Sequence, residues 1–182
     1  NILLLFLAMN KEDEKKFMEK IKRAGDSENY ETSWDEKGLP TSKKKTEIKK
    51  GKISKSRGAR FELKVRRNLE EKGRYVDKWN NNVDLEENKL IIAKKKYNPF
   101  KKAMTLGTGF PDFIAFKKIY GGTYSIIGVE SKINGTLSKI EKEKCKWYLE
   151  NEVFSEIWIA KQKKVGRKIE VEYVDFREKY MK

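Results

Sequence analysis

Two apolar runs joined by a glycine pair constrain this chain more than any other feature. "DFIAF" (112–116) and "YSIIGVESK" (124–132) are rich in β-branched and aromatic residues, and Gly121-Gly122 lies between them. That pattern predicts an antiparallel hairpin. With a three-residue loop Tyr120-Gly121-Gly122, Ile119 pairs with Thr123, and Asp112 falls opposite Glu130. A two-residue loop would send the two carboxylates to opposite faces.

Directly opposed side chains on one face of a hairpin lie about 5 Å apart. Two carboxylates held that close repel unless a cation lies between them or one is protonated. Lys132 follows Glu130 by two positions and so shares its face. Two carboxylates and an ammonium on a rigid sheet can bind Mg²⁺ through oxygen ligands and hold a water for attack on a phosphodiester. The lysine would position the nucleophile or stabilise the transition state. The bland reading makes Asp112 a Pro-Asp turn residue and Glu130–Lys132 a surface ion pair.

The rest of the chain supplies flanking elements. "NKEDEKKFMEKIKRAG" carries acids early, Lys and Arg late and Gly25 as a stop, which predicts a short helix. Residues 26–56 are poor in apolar side chains, and "SKKKTEIKKGKISKSR" reads as a basic arm or linker. "SRGARFELKVRRNLEEKG" (56–73) predicts the first core helix, with Phe61, Val65 and Leu69 on one face, Gly73 as its end and Glu62 at the edge of the apolar stripe. "RYVDKW" and "KLIIAKKKY" are strand-like, and 100–110 reads as a glycine-containing loop. A helix over 136–151 precedes the strands "EIWIAKQ" and "IEVEYVDF". The order α-β-β-β-α-β-β predicts an α/β (α+β) fold, a mixed central sheet flanked by helices. The expected division is an N-terminal helix and basic arm over 1–55 and a core domain over 56–182.

Composition narrows the chemistry. The 182 residues have a formal net charge of +15, which favours a polyanionic partner, nucleic acid before an anionic membrane surface. The chain has no histidine, so histidine-based catalytic triads and imidazole zinc sites are excluded. Cys145 is the single cysteine, which excludes an intrachain disulfide framework and favours a reducing, cytoplasmic setting. The apolar run Ile2–Ala8 is too short to span a bilayer, and either Met9 after it could be the true start or the front end could be cut.

Pro111-Asp112 followed by Glu130-Ser131-Lys132, with Glu62 on the preceding helix, resembles the PD-(D/E)XK nuclease superfamily. "GKISKSRGARFELKVRRNLEEKG" is similar to the front of archaeal Holliday-junction resolvases and related nucleases, and the resemblance covers roughly 50–162. It implies a restriction-endonuclease-like core. By that resemblance Asp112, Glu130 and the Ser131 carbonyl would bind Mg²⁺ or Mn²⁺, Glu62 would assist, and Lys132 would be catalytic. It also implies a 5′-phosphate product and allows a homodimer. The stretch 74–110 is longer than in compact resolvases. Lys144 stands four residues before Tyr148, where many members carry a Gln before a Tyr.

These readings lead to a divalent-metal-dependent DNA endonuclease with no small-molecule cofactor and no membrane partner. The arm together with Arg57, Arg60, Lys64 and Arg67 would grip backbone phosphates. Lys144 is either a further phosphate contact or a snorkelling surface lysine. A restriction-type or viral nuclease, a non-catalytic nucleic-acid-binding protein and a membrane-surface protein are the rivals. Trp79, Trp147 and Trp158 are expected in the core, Trp34 in either setting, and Cys145 as a quiet thiol. Gly107 and Gly109 do not form a phosphate loop, because no Lys-Ser/Thr and no helix follow. They would let the backbone approach DNA.

Overall fold

The computed structural model describes residues 10–98, 103–106 and 109–181. The chain divides into two compact units, residues 1–57 and 58–182.

The first unit opens with α1 (Lys11–Gly25), capped by Asn10, whose side chain accepts from the Glu12 and Asp13 amides. The acids of its first turn and the Lys22 and Arg23 of its last complement the helix dipole. Both strands of an antiparallel ribbon, β1 (Tyr30–Trp34) and β2 (Pro40–Lys44), lie against α1. Helix α2 (Lys45–Glu71) follows directly and runs on into the second unit. Residues 26–55 therefore do not form the arm expected from composition. The ribbon is held by a Thr32–Ser42 hydroxyl pair and by Asp35, whose Oδ1 accepts from the Lys37 and Leu39 amides. Among the described residues of this unit only Pro40 is buried, so hydrophobic periodicity had nothing to report there. Trp34 is exposed.

The second unit is built on a five-stranded mixed sheet in the order β11-β10-β9-β8-β3. Its strands are β3 (Tyr75–Lys78), β8 (Phe113–Tyr120), β9 (Thr123–Ser131), β10 (Glu156–Val165) and β11 (Lys168–Asp175). Only β9 and β10 run parallel, connected through α3 (Lys139–Glu150). The short helix α4 (Phe176–Tyr180) ends the described chain. The sheet and its covering helices follow the order α-β-β-β-α-β-β, with three of the four strand-like runs between α2 and α3 in the sheet. "KLIIAKKKY" does not join the sheet. It contributes to two separate ribbons, β4 (Asn81–Asp84) with β5 (Lys89–Ile92) and β6 (Lys95–Asn98) with β7 (Ala103–Leu106).

Helix α2 covers one face of the sheet, burying Phe61, Val65 and Leu69 against Phe113, Ala115, Ile127 and Val129. Cys145, Tyr148 and Leu149 of α3 pack with Phe110, Phe154, Ile157, Ile159 and Phe176 on the opposite face. Trp79, Trp147 and Trp158 are packed against these two clusters. No helix among the described residues is long and apolar enough to cross a membrane.

The β8–β9 hairpin reaches the expected register by a different route. Gly121 and Gly122 both have positive φ, 49° and 90°, and Tyr120 pairs with Thr123 across a two-residue turn. A register shift between Lys118 and Tyr120 leaves Ile119 as a bulge. Below the bulge, every pair from Lys118↔Tyr124 to Phe113↔Val129 is offset by one, and continuing that offset sets Asp112 opposite Glu130. The bulge performs the shift that a longer loop was expected to make.

Candidate active site at the open end of the hairpin

Asp112 sits where three segments meet. Its carbonyl accepts from the Trp79 amide at 3.3 Å, joining it to the end of β3. Its amide donates to Glu130 Oε2 at 3.1 Å. Its Oδ2 accepts from the Ser131 amide at 2.9 Å and the Ser131 hydroxyl at 2.6 Å. The turn before it is equally constrained. The Phe110–Pro111 peptide is cis, and Pro111 packs on Gly128, where an added Cβ would lie 2.9 Å from Pro111 Cγ.

Gly109 has an internal task rather than the expected one toward DNA. An added Cβ would collide with the Trp79 carbonyl oxygen and lie 2.5 Å from Asn81 O, while the Phe110 amide donates to Asn81 O at 2.9 Å. Gly109→Ala is therefore expected to destabilise the fold by about 3 kcal/mol, because backbone atoms on both sides cannot yield. Urea unfolding of the two proteins measures this; equal midpoints would contradict it. Gly107 lies outside the described residues.

Among the described residues Glu130 is the one buried charged side chain, 4% exposed. It emerges from β9 on the α3 face, paired in register with Ile159. Burial, then the neighbouring Asp112 charge, pushes its carboxyl up to about 8. Lys132 counters this in part, with Nζ 3.0 Å from Glu130 Oε1. The same ammonium lies 2.6 Å from Glu141 Oε1 on the first turn of α3. Burial draws the Lys132 ammonium down, but the Glu141 hydrogen bond and then Glu130 more than offset it, so it is held cationic well above its ordinary range. Glu141 in turn is desolvated, yet its bonds to Lys132 and Ser138 keep its carboxyl below the usual range.

Glu62 faces the same end from α2. Burial raises its carboxyl and the Asp112 charge adds to this, while Lys78, 3.7 Å away, and Lys132 oppose them. The residues expected to act together thus fall into an inner group of Asp112, Glu130, Ser131 and Lys132, with Glu62 beside it and paired to Lys78.

The expected DNA-contact residues are distributed differently. Arg60, Lys64 and Arg67 line one groove with Leu63, Asn68 and Glu71. At 100° per residue they stand roughly 140–200° around the helix from Glu62. Lys64 donates to the Ile169 carbonyl of β11, so its ammonium is engaged within the fold. Arg57 belongs to the first unit. Lys144 is half-buried, with Nζ 5.9 Å from the centre of the Phe110 ring, two residues from Asp112. Tyr148 is fully buried; its hydroxyl accepts from Trp79 Nε1 at 3.1 Å, which makes it a core residue. Cys145 is buried, and desolvation followed by the charges of Glu130 and Glu141 pushes its thiol up.

Glu141 and Lys78 are not among the site residues expected from sequence. Glu141 had a legible signal: Ser138-Lys139-Ile140-Glu141 is a capping box, and both of its reciprocal bonds are formed. Lys78 had none, since its pairing with Glu62 joins a strand end to a helix distant in sequence.

Among the described residues no group of three Asp, Glu, Cys or His side chains is gathered as a metal cage. The donor set of Asp112 and Glu130 nevertheless fits a hard divalent cation. Mg²⁺ is commonly held by one or two carboxylates with waters, and a cation would offset the Asp112 charge that, after burial, raises the Glu130 carboxyl. Comparison with protein-family models, curated proteins and solved structures returns no match.

Proposed function

We propose that this chain is a divalent-metal-dependent DNA endonuclease with a restriction-endonuclease-like core of the PD-(D/E)XK kind, using Mg²⁺ or Mn²⁺. The observation that carries the reading is the apposition of Asp112 and Glu130 at one end of a paired hairpin, with the Lys132 ammonium 3.0 Å from Glu130. Asp112 and Glu130 would hold the ion, with the carbonyl of Ser131 as a third oxygen and Glu62 reaching it through water. Such an ion supplies Lewis acidity toward a phosphate and lowers the pKa of a bound water. Ser131 fixes the Asp112 carboxylate through two hydrogen bonds. Lys132 places a positive charge where a phosphate oxygen gains negative charge during attack. Glu62, partly desolvated and kept in reach by Lys78, is suited to accept a proton from the attacking water.

The net charge of +15 supports DNA as the partner, and Arg60 and Arg67 would add sequence-independent phosphate contacts along the part of α2 turned away from Glu62. Branched DNA is the substrate form that the resolvase-like helix suggests, with a homodimer able to cut two strands, in a reducing compartment. The test is cleavage of end-labelled duplex, single-stranded and four-way-junction DNA with Mg²⁺, Mn²⁺ or EDTA. Metal-dependent products with 5′-phosphates are expected, most abundantly from the junction. Retention of DNA with no cutting under any metal would make the protein a non-catalytic nucleic-acid binder.

A further inference from the structure

We infer that Glu141 is a positioning residue that tethers the Lys132 ammonium beside the acid pair, coupling the start of α3 to the active site. The inference rests on the nuclease reading for its consequence and on geometry for its substance. Lys132 lies just past the end of β9, in a short turn where its own amide donates to Ala160 O and Gly135 returns a bond to its carbonyl. Its backbone is thereby fixed, but its four-carbon side chain is not; a lysine end carries substantial rotamer entropy. Glu130 alone would restrain it from one side at 3.0 Å, toward the acids. Glu141 restrains it from the other at 2.6 Å.

The second anchor is itself rigid. Glu141 Oε2 accepts from the Ser138 amide at 2.7 Å, and the Glu141 amide donates to Ser138 Oγ at 3.3 Å. One carboxylate therefore serves two purposes, closing the helix cap with one oxygen and holding the ammonium with the other. The consequence is directional. Freed from Glu141, Lys132 collapses onto Glu130 or swings to solvent, and in neither place does it meet a phosphate as often in the reactive arrangement.

Two substitutions separate this role from helix capping. Glu141→Gln keeps an acceptor for the cap and removes the charge that holds Lys132; Ser138→Ala removes the hydroxyl half of the cap and leaves the ion pair. In single-turnover cleavage with Mg²⁺, Glu141→Gln is expected to cut about tenfold more slowly, with DNA affinity in Ca²⁺ changed less than about twofold and Tm nearly unchanged. Ser138→Ala is expected to lower Tm and keep the wild-type rate. Loss of rate in both variants in proportion to Tm would show capping alone and overturn the tether, as would wild-type cutting by Glu141→Gln. A wild type that cuts nothing overturns the nuclease reading. The tether is then judged by NMR relaxation of the Lys132 ¹³Cε, assigned through Lys132→Arg. A rigid side-chain end in the wild type that becomes mobile in Glu141→Gln sustains it, and equal mobility in the two ends it.

Discussion

Asp112→Asn is expected to lower metal-dependent cleavage by at least about 10³-fold, because it removes one of the two carboxylates proposed to hold the ion directly. The substitution is close to isosteric, and the amide oxygen can still accept from the Ser131 amide and hydroxyl that now meet Oδ2. Loss of activity would therefore not be a loss of fold. Stability should move the other way. The Asp112 charge is the second cause of the raised Glu130 carboxyl, after burial. Without it, Glu130 ionises more easily inside the fold, and the variant should melt above the wild type in EDTA at pH 8. DNA binding in EDTA should be retained or slightly strengthened, since a negative charge has been removed near the phosphate path. The pattern of lost activity, gained metal-free stability and kept affinity is that of a site built against its own stability. Cutting that survives Asp112→Asn would mean the site lies elsewhere.

Parts of this arrangement are legible in the sequence for physical reasons, and parts are not. The β8–β9 hairpin is read correctly because strand alternation and paired glycines are local signals. The closeness of Asp112 and Glu130 follows from register alone. Its cause was misassigned, since a two-residue turn with a bulge at Ile119 and a three-residue loop give the same offset below the turn. The covering stripe of α2 is visible from Phe61 onward, where burial imposes a period. Residues 45–55 are helical without any buried face, so only propensity speaks for them, and Gly51 and Ser54 speak against. The arginines and lysines expected to contact DNA illustrate a different limit. Charge identifies a surface residue but not its direction, and Lys64 proves to be committed to the Ile169 carbonyl. Gly109 is the converse case: what reads as freedom beside the site is a point where its backbone is pressed against the Trp79–Asn81 segment.

The pH dependence of metal-free stability offers the second large effect, and its sign is opposite to that of an ordinary ion-paired carboxylate. Glu130 moves from its ordinary 4.5 up to about 8 in the folded protein. Between those values the folded chain keeps a proton that the unfolded chain has released. The stability this group contributes is complete below 4.5, declines as pH rises through the window and is gone above about 8. The full swing is on the order of 5 kcal/mol, and it runs against the gain that other acids give only at lower pH. The charged groups facing Glu130 are Asp112, Lys132 and Glu141, and the lysine stays cationic throughout the window. In EDTA, Tm should therefore fall between pH 6 and pH 8 in the wild type and stay nearly level in Glu130→Gln. Millimolar Mn²⁺ should restore the wild type more strongly at pH 8 than at pH 6, because fewer molecules then hold a Glu130 proton that the ion must displace, and leave Glu130→Gln unmoved. The decisive comparison is the difference in Tm with and without Mn²⁺ at the two pH values. A wild type whose metal-free Tm is level across that range, or whose response to Mn²⁺ is matched by Glu130→Gln, would show that the buried carboxylate neither keeps its proton nor meets the ion.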